Sequence, residues 1–220
     1  MNRRAADMHI HTVLSPCASP EMTPNAIARE AARRGLAVIA VCDHNTAGNV
    51  RAVADAAAGI PDGPVVIAGI EITTVEEAHV LGWFRTPEDA SAVAEALDVD
   101  AALPSAASRL TLSETVALVH RHGGLAVAAH VDRRSFSVPG QLGFIPPDVP
   151  FDGLEISAAG AARGKAADFA GHGLPLVSSF DCHFLEDMGT GVTLLEIPEP
   201  SFDEIANALG MAGGRSSAIA

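Results

Sequence analysis

No stretch of the 220-residue sequence approaches the roughly 18 consecutive apolar residues that a membrane-spanning helix needs, so no membrane partner is expected. The basic opening Met1-Asn2-Arg3-Arg4 has no apolar segment behind it, which argues against a secretory leader. Cysteine is scarce. Cys17, Cys42 and Cys182 are too few and too scattered for a disulfide framework and fit a reducing cytoplasm. Neither a fixed-period repeat nor a Gly/Ser linker divides the chain, so a single domain over residues 1–220 is expected. Positive charge is in deficit, with 14 Lys and Arg against 27 Asp and Glu and a net charge of −13. Together with the lack of an aromatic stacking series, this argues against long duplex nucleic acid as a partner. Divalent ions gathered in one cleft would still attract a small phosphorylated substrate.

What is present is a globular composition, 48% apolar, patterned as alternating short apolar runs and helical stretches. Strands are expected to end at His9-Ile10-His11, over Leu36–Val41, Val65–Ile70, Ala78–Phe84, Leu125–Ala129, Gly153–Ile156 and Leu174–Ser179, with a last one over Val192–Ile197. Helices are expected over Thr23–Arg34, Ala47–Ala58, Pro87–Leu97, Leu112–His122 and Ser201–Leu209. Asp98–Arg109 reads as a lid or a surface loop, and Ser135–Pro150 as irregular. Seven or eight strands with intervening helices imply a closed or distorted α/β barrel, and such barrels carry their chemistry at the C-terminal strand ends.

Six of the nine histidines fall at or near those strand ends: His9, His11, His44, His79, His130 and His183. Asp43, Glu71 and Asp181 occupy equivalent places. Residues two apart on a strand point the same way, so His9 and His11 can reach one metal and Asp181 and His183 one cavity. Imidazole and carboxylate suit zinc, manganese and iron. An acid closing the buried run that ends in Gly69-Ile70-Glu71 needs a partner. His120, His122 and His172 read as structural.

In this order, His9-Ile10-His11, Asp43-His44-Asn45, Gly69-Ile70-Glu71, His79-Val80-Leu81-Gly82, Ala129-His130 and Ser179-Phe180-Asp181-Cys182-His183 resemble the motifs of the PHP (polymerase and histidinol phosphatase) family. The resemblance implies a distorted (β/α)7 TIM-like barrel, two or three divalent metal ions and phosphoester hydrolysis. It implies that His9, His11, Glu71 and Asp181 bind one metal, that Glu71 bridges to a second held by His79 and His130, and that His44 and His183 contribute to a third. Where the family often supplies a further His or Asp for the third metal, this sequence has Cys17, a softer ligand that would favour zinc.

The expected reaction uses a water activated between two cations, with metals and arginines neutralising phosphate charge. Asp43 is a candidate proton carrier, and Arg133 or Arg134 a candidate phosphate fork. A metal hydrolase of another bond, and a non-catalytic metal-binding accessory domain, are the competing readings.

Overall fold

The computed structural model describes residues 2–100, 103, 105–210 and 217–219. Among these residues nine strands form one sheet: β1 (Asn2–Ile10), β2 (Val38–Val41), β3 (Val65–Thr73), β4 (His79–Phe84), β5 (Leu125–Ala128), β6 (Gly153–Ser157), β7 (Leu176–Ser179), β8 (Thr193–Ile197) and β9 (Ser217–Ile219). Their order is β7-β6-β5-β4-β3-β2-β1-β8-β9. The sheet curls until the segment after β7 meets the end of β1. There, Cys182 N donates to His9 O and His11 N to Cys182 O, both at 2.9 Å. β8 runs antiparallel along the first half of β1, and its Thr193 side chain hydrogen-bonds the Ser178 backbone of β7. The expected distorted TIM-like barrel is the observed architecture.

Among the described residues eight α-helices accompany the sheet: α1 (Pro24–Arg33), α2 (Val50–Ala58), α3 (Pro87–Ala96), α4 (Leu112–Arg121), α5 (Val138–Leu142), α6 (Ala158–Ala162), α7 (Ala166–Phe169) and α8 (Phe202–Ala208). Local chemistry sets their ends. Thr23, Thr86 and Thr111 each accept a backbone N–H as N-caps, and Thr111 and Glu114 complete a capping box. The stretch 135–150 contains α5, and two short helices separate β6 from β7. These one-turn elements are too short to leave a periodic signature. Among the described residues no helix is long and apolar enough to cross a membrane.

Alternating strand residues feed two cores. Ile39, Val41, Ala68, Ile70 and Ile72 pack with Ile27, Val53, Val93 and Val116 of the surrounding helices. Val38, Ala40, Ile67, Leu81 and Val127 fill the barrel with Phe202 and Ile205 of α8. β1 changes parity. Ala6 and Met8 belong to the inner core and Ile10 to the outer one, with a register irregularity between Asp7 and Ile10. Such a bulge re-aims the strand, here turning both His9 and His11 inward.

His79 begins β4, which runs antiparallel to both β3 and β5. The reversal brings the start of β4 to the rim where β3 ends, with Thr73 opposite His79. A short apolar run carries no mark of its direction, so the sequence pattern is blind to this. Of the stretch 98–110, residues 101, 102 and 104 lie outside the described set, and none of the described ones lines the cavity at the barrel mouth.

Candidate metal centre

At the rim, Glu71 is surrounded by five imidazoles. Its Oε1 lies 2.7 Å from His79 Nδ1, 3.2 Å from His130 Nε2 and 3.4 Å from His9 Nε2. Its Oε2 lies 2.9 Å from His44 Nδ1 and 3.3 Å from His11 Nε2. The two oxygens thus face different histidine sets, as a bridging carboxylate would. Space for this comes partly from Gly69, where a Cβ would fall 2.6 Å from Cys42 Sγ and from Val41 O. Burial pushes the Glu71 carboxyl up, but the imidazoles, His79 and His9 foremost, hold it well below the usual range.

Three groups of side chains bring their donor atoms within 4.8 Å of one another. The first is His9, His11, Glu71 and Asp181, the second His44, Glu71 and His79, and the third His11, His44 and His183. The first matches the set that the resemblance implies. The others redistribute it: His44 joins Glu71 and His79, His130 reaches only Glu71, and His11 is shared with the third group. Cys17 is solvent-exposed and touches His44 and His183. Burial raises its thiol pKa, but hydrogen bonds from those two rings bring it down to about 6.

The hydrogen-bond pattern tests whether these residues suit a cation. His9 Nδ1 lies 3.1 Å from both oxygens of Glu155, so it carries the proton of a neutral ring and leaves Nε2 bare. Ser15 Oγ spends its hydrogen on Asp43 Oδ1 at 2.7 Å and accepts from His11 Nδ1 at 2.9 Å, so His11 Nε2 is bare as well. These two Nε2 atoms are buried and 3.1 Å apart. Facing lone pairs need positive charge between them, either a proton or a metal ion. A single proton satisfies two atoms, whereas a divalent ion satisfies His9, His11, Glu71 and Asp181 together. Zinc ligands at about 2.0–2.2 Å stand about 3.0–3.5 Å from each other, which is the spacing found here. Buried His44 Nδ1, His79 Nδ1 and Asp181 Oδ1 have close neighbours but no aligned hydrogen bond, as expected of ligand atoms. Burial opposes charge on His9, yet Glu155, Asp181 and Glu71 raise its pKa well above the usual value. Proton and metal therefore compete for the same lone pair.

Glu155, Ser15 and Arg163 escaped the sequence reading. Glu155 is buried, fixes His9, and accepts the backbone N–H of His130 at 2.9 Å. An acid inside the wholly buried run Gly153–Ser157 was a signal of a partnered charge. Ser15 shows no sequence signal.

The other candidates separate. Asp43 faces away from the cavity. Its oxygens accept from Thr12 N, Thr12 Oγ1 and Ser15 Oγ at 2.6–2.7 Å, so it braces the loop after β1 and is not placed to carry a proton. Arg133 is ion-paired with Asp181 Oδ2, while Arg134 lies exposed on the cavity wall. His120 bonds Asp152 at 2.8 Å, away from the rim. The cavity over the cluster has a volume of about 630 Å³, and its lining includes Arg133, Arg134, Phe136 and Arg163. Asn45, His130, Phe136 and Asp181 all have positive φ, a concentration of backbone strain typical of functional sites.

The barrel thus gathers histidines and carboxylates at one rim. A PHP-associated family model matches residues 160–212. The lesion-specific endonuclease Q of Pyrococcus furiosus superposes with a TM-score of 0.80 at 22% identity, over 99% of this chain and 58% of that one. An endonuclease Q complex with a 27-mer duplex, carrying an abasic lesion at the active site, gives 0.77 at 23%, over 98% and 58%. A candidate metal-dependent phosphoesterase from Bifidobacterium adolescentis gives 0.62 at 19%, over 96% and 97%. This chain therefore spans only 58% of the length of both endonuclease Q structures. A comparison with curated proteins finds no match.

The endonuclease Q complex overturns one expectation. A net charge of −13 was to exclude long duplex nucleic acid, yet a protein of this fold holds a 27-mer duplex. A whole-chain charge says little about one cleft. Here three of the 14 basic residues, Arg133, Arg134 and Arg163, line the cavity at the histidine–carboxylate cluster.

Proposed function

We propose that this chain hydrolyses phosphate esters at a cluster of two or three divalent ions, with zinc, manganese and iron the candidates. The observation that carries the reading is the buried His9–His11 pair, whose bare nitrogens share a four-atom cluster with Glu71 and Asp181. Bound there, divalent ions supply Lewis acidity and a nucleophilic oxygen from water near neutral pH. The chain's own groups do the rest. Glu155 and Ser15 fix the tautomers of His9 and His11, and Arg133 orients Asp181. The guanidinium of Arg134 is placed to pair with an incoming phosphate, and its planar fork suits that geometry. The likeness to endonuclease Q and to a phosphoesterase supports phosphate as the reacting group, and it places nucleic acid among the substrates to be tested.

The test is metal analysis of protein purified without chelator, followed by assay of the metal-loaded enzyme. The assay panel should include phosphomonoesters, phosphodiesters, an abasic-site duplex, and amide and carboxylic ester controls. At least two ions per chain and hydrolysis of phosphate esters are expected. Glu71→Gln keeps the shape but removes the charge that two cations would share, and it should lower activity by orders of magnitude. Fewer than one ion per chain after reconstitution, or turnover confined to the amide or carboxylic ester controls, would overturn the reading.

A further inference from the structure

The cavity wall beside His79 has features that metal binding does not require. Phe136 has φ +57°, a backbone region that bulky side chains rarely adopt. It is held there from two sides. Its carbonyl accepts from His79 N at 2.8 Å, and its ring stacks on the His79 imidazole with centroids 4.9 Å apart and an 18° tilt. Despite this strain the residue remains 46% exposed. A protein with 4% aromatic residues thus holds a phenyl ring, immobilised and half open to solvent, on the wall of its main cavity. Strain that secures an exposed aromatic surface points to a use for that surface.

The charge on the same wall is also distinctive. Arg134 and Arg163 are exposed and line the cavity, and among the described residues neither is seen in an ion pair. Arg133, between them and the cluster, is already occupied by Asp181. The volume, about 630 Å³, lies in the range of sites that enclose an organic ligand rather than a bare phosphate.

Building on the phosphoesterase reading, we propose that this wall is a nucleotide subsite, with a nucleobase stacked on Phe136 and Arg134 and Arg163 holding phosphate adjacent to the scissile one. Every base has a π face, so a single phenyl platform recognises the presence of a base rather than its identity. The two guanidiniums add affinity that falls as salt rises. The expected substrate class is therefore a nucleotidyl phosphate ester with a base next to the cleaved bond.

The experiment measures binding by metal-loaded protein of two labelled single-stranded probes, by fluorescence anisotropy. One is a 5′-phosphorylated thymidine hexamer. The other is a hexamer of base-free deoxyribose phosphate units with the same charge. Wild type should bind the thymidine probe roughly tenfold or more tightly. Phe136→Ala should abolish that preference and Phe136→Trp should keep it. Arg163→Ala should weaken both probes equally and flatten their salt dependence. Equal binding of the two probes by wild type would overturn the proposal whether or not any variant folds. Equal loss of both probes in Phe136→Ala would also overturn it, because the ring would then only shield His79. A base preference without hydrolysis of any phosphate ester would retain the subsite and remove the phosphoesterase reading, so the two fail separately.

Discussion

Arg133 grips Oδ2 of Asp181 and leaves Oδ1 turned towards His9 at 3.3 Å and His11 at 3.0 Å. One carboxylate is thereby split between an arginine that aims it and a cluster that uses it. Arg133→Ala should weaken metal binding by about tenfold or more, as removal of groups that orient ligands does. Arg133→Lys should restore part of that, because it keeps the charge but lacks the planar fork. Competition with a chelator of known affinity measures both. Unchanged affinity in Arg133→Ala would show that Asp181 needs no such guide.

Glu155 orients His9 in the same manner, from inside the barrel. Glu155→Gln keeps the volume but lets the amide present either a donor or an acceptor to Nδ1, so the tautomer is no longer fixed. Metal affinity should fall by about 10–100-fold. The loss should concentrate in the ion held by His9, His11, Glu71 and Asp181, and metal-resolved titration would reveal it. A uniform loss across all ions would instead indicate general unfolding.

Much of this site was legible in the sequence, and the exceptions share a cause. His9, His11, Glu71 and Asp181 stand where apolar runs stop, so an alternating pattern exposes them. His79 also stood out, but its role depends on β4 running backwards, and nothing in His79–Phe84 encodes direction. Asp43 looked like a catalytic acid because it follows a buried strand. Only the fold shows its oxygens spent on Thr12 and Ser15. Arg133 and Arg134 are adjacent and look equivalent, yet one is paired and the other open. What the sequence could not show is the direction in which a side chain points once a strand has ended.

Cys17 tests the third group. The thiol beside His44 and His183, lowered to about 6, is a thiolate at neutral pH and suited to a soft ion. Cys17→Ser should lose or loosen one metal per chain by about tenfold or more while the ions sharing Glu71 stay. Alkylation of Cys17 should slow when metal is added to wild type. Alkylation at equal rates with and without metal would remove Cys17 from the ligand set.

Asp7, two residues before His9 on β1, provides a pH signature. Burial raises its pKa to about 7, against a hydrogen bond from the Gly189 backbone N–H, another from the Cys182 thiol, and the nearby His9. Its folded pKa exceeds its unfolded value near 3.8, so its contribution to stability is full below that value and is lost as pH rises through about 7. Metal-free wild type should lose on the order of a few kcal/mol to this group between pH 4 and 8. Asp7→Asn should remove that part of the slope. Denaturant midpoints for both proteins across this range measure it, and parallel curves would refute the assignment.

The closing bridge at Cys182 has a mechanical consequence. The barrel is a rolled sheet with one seam, where the start and finish of the circuit are stitched by two backbone hydrogen bonds. His9 and His11 stand on one lip of that seam, Asp181 and His183 on the other. An ion shared across it acts as a rivet, so loading the cluster and locking the cylinder become one event. Amide exchange at His11 and Cys182 should accordingly slow on metal addition far more than exchange in the middle of β3, turning two backbone protons into reporters of occupancy.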